Sequence, residues 1–109
     1  MKTTRVYSPL TIEAASLLGA RIRLARRERH WTAKELADRV GVTQVTIRKV
    51  ERGDPSVSLG TVFEAAALAG VPLFHEDRSR RALEMARIED RLAVLPDRVH
   101  RPAAVDDDF

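Results

Sequence analysis

The chain has 109 residues, of which 44% are hydrophobic and 5% aromatic, a composition that suits one modest aliphatic core. Its net charge of +3 permits contact with a polyanion but does not by itself indicate one. The lack of cysteine excludes disulfide frameworks and thiolate metal sites, and no apolar run approaches the roughly twenty residues of a membrane span, so we expect a cytoplasmic protein without a membrane partner.

The first predicted elements are an N-terminal arm over residues 1–9 and a long helix. The arm has the β-branched and aromatic composition of a short strand, which could pair with that of a second copy in a dimer, but a frayed terminus explains it equally well. Ser8 and Pro9 suit a helix start, because serine caps free amides and proline fits the first helical position. Apolar residues at three-four spacing then predict a helix over about residues 10–29. They are Ala15, Leu18, Ile22 and Ala25, with Leu17 and Leu24 widening the stripe.

Positive charge is concentrated in the first half of the chain. Residues 20–52 contain ten Arg or Lys against four Asp or Glu, whereas residues 75–109 contain seven against nine. The first helix carries five arginines, for most of which a solvated face is as good an explanation as a binding surface. These are Arg21, Arg23, Arg26, Arg27 and Arg29.

Residues 32–53 have the pattern of two short helices joined by a tight turn. Thr32 suits the N-cap of the first helix, and Gly41 suits its left-handed C-terminal cap. Thr43 suits the N-cap of the second, which turns Ile47 and Val50 inward and leaves a mainly polar set of side chains outward. This is the outline of a helix-turn-helix. The outward side chains are Gln44, Val45, Thr46, Arg48 and Lys49.

A fourth helix and a fifth are predicted downstream. Ser58 can cap the fourth, which Gly70 and Pro72 end, and this completes an all-α domain over residues 10–74. The fifth is expected within residues 75–95. Its apolar stripe can pack on the core or on a second copy of the chain, and dimerisation is favoured because a closed domain leaves this stripe to be covered. The stripe comprises Met85, Ile88, Leu92 and Leu95.

Residues 96–109 are predicted to form a flexible acidic tail that ends in Phe109. An aromatic residue on such a tail can anchor in the pocket of a partner protein, but solubilising tails have the same composition.

Four short runs of sequence carry a family resemblance: Leu24-Ala25-Arg26, Lys34-Glu35-Leu36-Ala37, Gly41-Val42-Thr43-Gln44 and Ile47-Arg48-Lys49-Val50-Glu51-Arg52-Gly53. They resemble the Cro/phage-repressor-like helix-turn-helix regulators, also called the XRE family, over about residues 18–74. The resemblance implies a five-helix DNA-binding domain that acts as a homodimer on a palindromic operator in double-stranded DNA. It therefore implies an autoregulatory repressor, associated with the nucleoid.

The same resemblance assigns roles to side chains of the motif. Gln44 is implied to bond an adenine edge, Val45 to lie beside a thymine methyl, and Lys49 to donate to guanine or a phosphate. Contacts with the DNA backbone are implied for a larger set, which positions the protein without reading sequence. That set is Lys34, Thr43, Thr46, Arg48, Arg52, Ser56 and Ser58.

Ala33 departs from the family pattern. Many relatives have a glutamine here that bonds both a phosphate and the recognition helix, so Lys34 becomes the candidate for that phosphate contact. Arg26 and Glu51 are implied to form an internal ion pair between the first and third helices. Their role is then structural, and replacing either would weaken binding indirectly.

A narrower resemblance is to the HipB-type antitoxins encoded beside HipA-like kinase toxins. It rests on residues 64–74, the charged helix after them and the acidic tail. It implies an alternative function, in which the chain binds and neutralises a HipA-like toxin and DNA binding provides feedback.

No enzymatic activity, metal or cofactor is expected. The histidines at positions 30, 75 and 100 lack a mutual ligand spacing, and the chain has no glycine-rich phosphate loop. Neither a serine nucleophile motif nor a cysteine is available for covalent catalysis.

Overall fold

The computed structural model describes residues 6–98, and the secondary structure in this range is helical. The helices are α1 (Pro9–Glu28), α2 (Ala33–Val40), α3 (Gln44–Arg52), α4 (Leu59–Ala69) and α5 (Arg78–Val94). The predicted all-α fold is confirmed. Of the predicted arm, residues 6–8 have no regular structure, Pro9 is the first residue of α1, and residues 1–5 lie outside the described residues. Within the described range, no helix is long and apolar enough to cross a membrane.

Two compact units divide the chain, one up to Leu73 and one from Phe74 onward. The first contains α1–α4 and the second contains α5. The large buried side chains of the first unit are Ile22, Leu36 and Ile47, one from each of α1, α2 and α3. Burying each of them contributes about 1.5–3 kcal/mol. Three buried alanines of α4 complete this core, namely Ala65, Ala66 and Ala69.

The prediction that Leu17 and Leu24 widen the apolar stripe of α1 is wrong. They are 52% and 59% exposed, whereas Ile22 is fully buried. At 100° per residue both leucines lie well over 90° around the helix from Ile22, so they point away from the core that Ile22 enters.

Side-chain caps begin the helices of the motif. The hydroxyl of Thr32 accepts a hydrogen bond from the Glu35 amide at 3.0 Å, and the hydroxyl of Thr43 accepts one from the Thr46 amide at 3.2 Å. At α2 the Glu35 carboxylate also accepts the Thr32 amide, at 2.7 Å, which completes a capping box. Glycines with positive φ end both helices, Gly41 at 87° and Gly53 at 77°. Local signals therefore set both ends of the turn between α2 and α3.

The capping box makes the stability of the domain sensitive to acid. The Thr32 amide and hydroxyl, in that order, lower the pKa of Glu35. Stabilisation by this carboxylate is thus fully present above the ordinary carboxyl pKa and is lost as the pH falls through the lowered value. We expect Glu35→Gln to lose less stability on acidification than the unmodified protein. Thermal melts from neutral pH into the acid range test this, and parallel curves would contradict it.

Close backbone contacts hold α3 against α1. A Cβ atom on Gly19 would overlap the carbonyl oxygen of Val50 and lie 2.8 Å from that of Glu51. At the end of α3, a Cβ on Gly53 would lie 2.7 Å from the backbone nitrogen of Ser16. Because glycine has no Cβ, these two positions let the backbones of α1 and α3 pack in direct contact.

Candidate nucleic-acid interface

One side of α3 faces the core and the other faces outward. Ile47 and Val50 are buried on the inner side. Val45, 63% exposed, and the exposed Lys49 lie one helical turn apart on the outer side. Gln44, at the first position of the helix, is half-buried. We call Gln44, Val45 and Lys49 the reading face. A helix with its side chains is about 10–12 Å across, which fits a DNA major groove about 12 Å wide.

Several of the residues predicted to contact the DNA backbone already have partners within the protein. The hydroxyls of Thr43 and Thr46 are 3.1 Å apart at the start of α3, and Ser58 caps α4. Lys34 Nζ lies 3.1 Å from an Asp38 carboxylate oxygen, with both side chains more than 60% exposed. An exposed pair of this kind contributes little and rearranges readily, so Lys34 stays available for a phosphate.

Ser56 has the least favourable surroundings among these residues. Its hydroxyl and amide donate to the same oxygen of Asp54, at 2.7 and 2.9 Å. The hydrogen bond from the hydroxyl, then that from the amide, lowers the pKa of Asp54, so this carboxylate is ionised at neutral pH. A phosphate that approached Ser56 would therefore meet a negative charge.

Arg26 and Glu51 form a bidentate ion pair between α1 and α3. Arg26 Nε donates to Glu51 Oε2 at 2.6 Å, and Nη2 donates to Oε1 at 2.9 Å. Arg26 Nη1 also donates to the carbonyl oxygen of Trp31, at 2.8 Å. The Glu51 hydrogen bond raises the pKa of Arg26. The side chains are only 10% and 7% exposed, so the pair is largely buried. It links α1 to α3.

Beside this pair is an open pocket of about 370 Å³ that is lined mainly by arginines. Arg23 and Arg27 come from α1, and Arg48 and Arg52 come from α3. Ala33, where the sequence departs from the family pattern, also lines it. The sequence alone predicts no specific role for Arg23 and Arg27. Their spacing of four residues, which places both on one helical face, was the available signal.

The stripe predicted for dimerisation lies on α5 and its C-cap residue Leu95, in the second unit, and no residue of this helix is buried. Met85, Ile88, Leu92 and Leu95 are between 47% and 60% exposed. Phe109 lies outside the described residues. Dimerisation through the stripe, like the DNA contacts, therefore stays a prediction.

Comparison with known proteins agrees with the helix-turn-helix geometry. The family model described as Helix-turn-helix matches residues 22–75. Antitoxin HipB of Escherichia coli O6:H1 (strain CFT073) is 33% identical over 64 residues, which cover 59% of this chain and 62% of that protein. Antitoxin HipB of Escherichia coli (strain K12) is 31% identical over 64 residues, which cover 59% and 66%. The matched part is thus somewhat less than two thirds of these relatives' length.

Solved structures give the same relationship. A complex described as HipB with an O2 20mer, in which HipB carries a substitution, matches with a TM-score of 0.50 and 26% identity over 71% of this chain and 99% of that chain. A HipA-HipB-O2-O3 complex matches with a TM-score of 0.50 and 26% identity over 70% and 99%. Residues 22–75 of this chain therefore match a helix-turn-helix family of the XRE type, and the chain is similar to HipB-type antitoxins.

Proposed function

We propose that the chain is a sequence-specific DNA-binding regulator that inserts α3 into the major groove. The observation that carries the proposal is that α3 has one buried side and one exposed side. Ile47 and Val50 anchor its inner side, so Val45 and Lys49 are presented outward on a helix whose position is fixed by α1, with the half-buried Gln44 at its first position. A helix whose backbone is already held in place needs no further ordering of that backbone on binding.

Each member of the reading face has a chemistry that suits a base edge. The amide of Gln44 can bond adenine N6 and N7, and the ammonium of Lys49 can donate to guanine O6 and N7. Val45 offers an apolar surface to a thymine methyl. Lys34, Thr43, Thr46, Arg48, Arg52 and Ser58 are the proposed backbone contacts, with Ser56 the weakest candidate because of Asp54.

A homodimer is the assembly that suits repression by this domain. Two copies of α3 would enter half-sites about 34–36 Å apart, so the operator would be palindromic. The exposed stripe of α5 is the proposed dimer contact. A dimer that covers its own promoter would be an autoregulatory repressor.

Substitution of the reading face tests the proposal. A selection from random duplexes would first supply a bound sequence. We expect Gln44→Ala and Lys49→Ala each to weaken binding to it by ~1–3 kcal/mol, the usual value of one bidentate hydrogen-bonded pair between a side chain and a base. Affinities are measured at one fixed salt concentration, because backbone contacts vary strongly with salt.

Arg21→Ala is the matched control, since Arg21 is an exposed cation of α1 outside the reading face and the arginine pocket. It should leave the preference for the selected sequence unchanged. Unmodified affinity in both reading-face variants would show that α3 does not read the DNA through these residues.

The antitoxin function is the second candidate, and the similarity to HipB favours it. On this hypothesis the chain binds a HipA-like toxin and DNA binding supplies feedback. We expect the product of an adjacent gene to co-purify with the full chain, and deletion of residues 103–109 to abolish this. Co-purification that survives the deletion would contradict the role proposed for the tail. If neither the full chain nor the chain lacking residues 103–109 binds the product of the adjacent gene, the antitoxin hypothesis is wrong for that gene pair.

A further inference from the structure

We infer that the pocket formed by Arg23, Arg27, Arg48 and Arg52 receives a phosphate group of the DNA backbone. The inference rests on the proposed function and adds two α1 side chains to the interface. The family resemblance assigned no role to Arg23 or Arg27.

The pocket concentrates positive charge. Arg26 and Glu51, which also line the pocket, neutralise each other through their bidentate pair. None of the other four arginines forms an ion pair within residues 6–98, and only Arg52 is near enough to a carboxylate, that of Asp54, to lower its pKa. Four positively charged side chains therefore line one space of about 370 Å³. An anion in this space would offset their mutual repulsion.

Two helices, α1 and α3, each contribute two arginines to the pocket. Arg23 and Arg27 are one turn apart on α1, and Arg48 and Arg52 are one turn apart on α3. The Arg26–Glu51 pair and the glycine contacts hold these helices together, so the two pairs of arginines line one pocket between fixed helices. Planar guanidinium groups suit phosphate because each can donate two parallel hydrogen bonds to its oxygens.

The position of the pocket beside α3 indicates that the phosphate belongs to the DNA backbone. Arg48 and Arg52 belong to the same helix as the reading face. A helix in the major groove is bordered by the two phosphate backbones, so a pocket beside α3 meets phosphates and not base edges. Ala33 also lines this pocket. Its small side chain leaves the space to the arginines around it.

The salt dependence of DNA binding tests the inference. We expect Arg23→Gln and Arg27→Gln each to reduce the slope of log K against log salt by about 1. Each should weaken binding to the selected duplex and to a scrambled duplex by the same factor, because phosphates are common to both. Arg21→Gln, on another part of the α1 surface, should leave the slope unchanged. Circular dichroism would establish that all three variants are folded.

The possible outcomes separate this inference from the proposed function. Unchanged slopes in both pocket variants, with the unmodified chain still binding DNA, would overturn the inference alone. Weakened binding to the selected duplex only would also overturn it, since it would indicate base reading. If the unmodified chain binds no duplex, the proposed function fails and the inference fails with it.

A free anion is the other source of the same chemistry. Inorganic phosphate, titrated while the NMR signals of arginine Nε–H groups are followed, distinguishes the two sources. Tight saturation by inorganic phosphate, combined with normal DNA binding by the pocket variants, would assign the pocket to a free anion and overturn the DNA assignment. Weak phosphate binding together with reduced slopes is the expected result.

Discussion

Replacing Glu51 with alanine is expected to lower the free energy of unfolding by about 3 kcal/mol. The substitution leaves the Arg26 guanidinium, which is 10% exposed, without its counter-charge and without two hydrogen-bond acceptors. Breaking a buried pair in this way costs about 3–5 kcal/mol, and the lower end applies because the arginine pocket beside the pair is open. Urea unfolding of the two proteins measures the difference.

Two further variants separate the causes of this destabilisation. Glu51→Gln keeps the size of the side chain and an acceptor oxygen but removes the charge, so it should fall between the unmodified protein and Glu51→Ala. Asp38→Ala breaks the exposed pair with Lys34 and should change stability by less than about 1 kcal/mol. Equal effects of Glu51→Ala and Asp38→Ala would contradict the structural role of the Arg26–Glu51 pair.

Gly53→Ala is the second substitution with a large expected effect. Gly53 has a φ of 77°, and an added Cβ would lie 2.7 Å from the Ser16 nitrogen and 2.8 Å from the Ala15 carbonyl carbon. The left-handed conformation costs a side chain about 1–2 kcal/mol, and overpacking costs about 1–3 kcal/mol more. We therefore expect the free energy of unfolding to fall by about 3 kcal/mol, measured in urea.

Gly41→Ala is its matched control. Gly41 also ends a helix of the motif with a positive φ, of 87°, but nothing lies within 4 Å of its added Cβ. Only the conformational cost of about 1–2 kcal/mol should remain. If the two variants were equally stable, the close approach of α3 to α1 at Gly53 would not be a rigid contact.

The helices were predictable because local chemistry marks their ends. Thr32, Thr43 and Ser58 lie at N-caps, and Gly41 and Gly53 lie at left-handed C-caps. Each of these signals needs only the few residues around it, so a linear sequence contains the whole signal. The division of α3 into an inner and an outer side follows in the same way from its spacing.

The arginine pocket was not predictable, because it depends on how two helices are placed. On α1 alone, Arg23 and Arg27 look like a solvated face. They acquire a different meaning only when α3 brings Arg48 and Arg52 to the same space. Leu17 and Leu24 illustrate the same limit, since apolar spacing alone does not tell which part of a broad stripe meets the core.

The central claim is that α3 reads DNA sequence, and the specificity ratio tests it most directly. The measurement compares the affinity of the full chain for the selected duplex with that for a scrambled duplex of equal length and composition, at one fixed salt concentration. A sequence-specific regulator should bind the selected duplex at least about 10³-fold more tightly, and Gln44→Ala should reduce that ratio. Equal affinities of the unmodified chain for the two duplexes would contradict the claim.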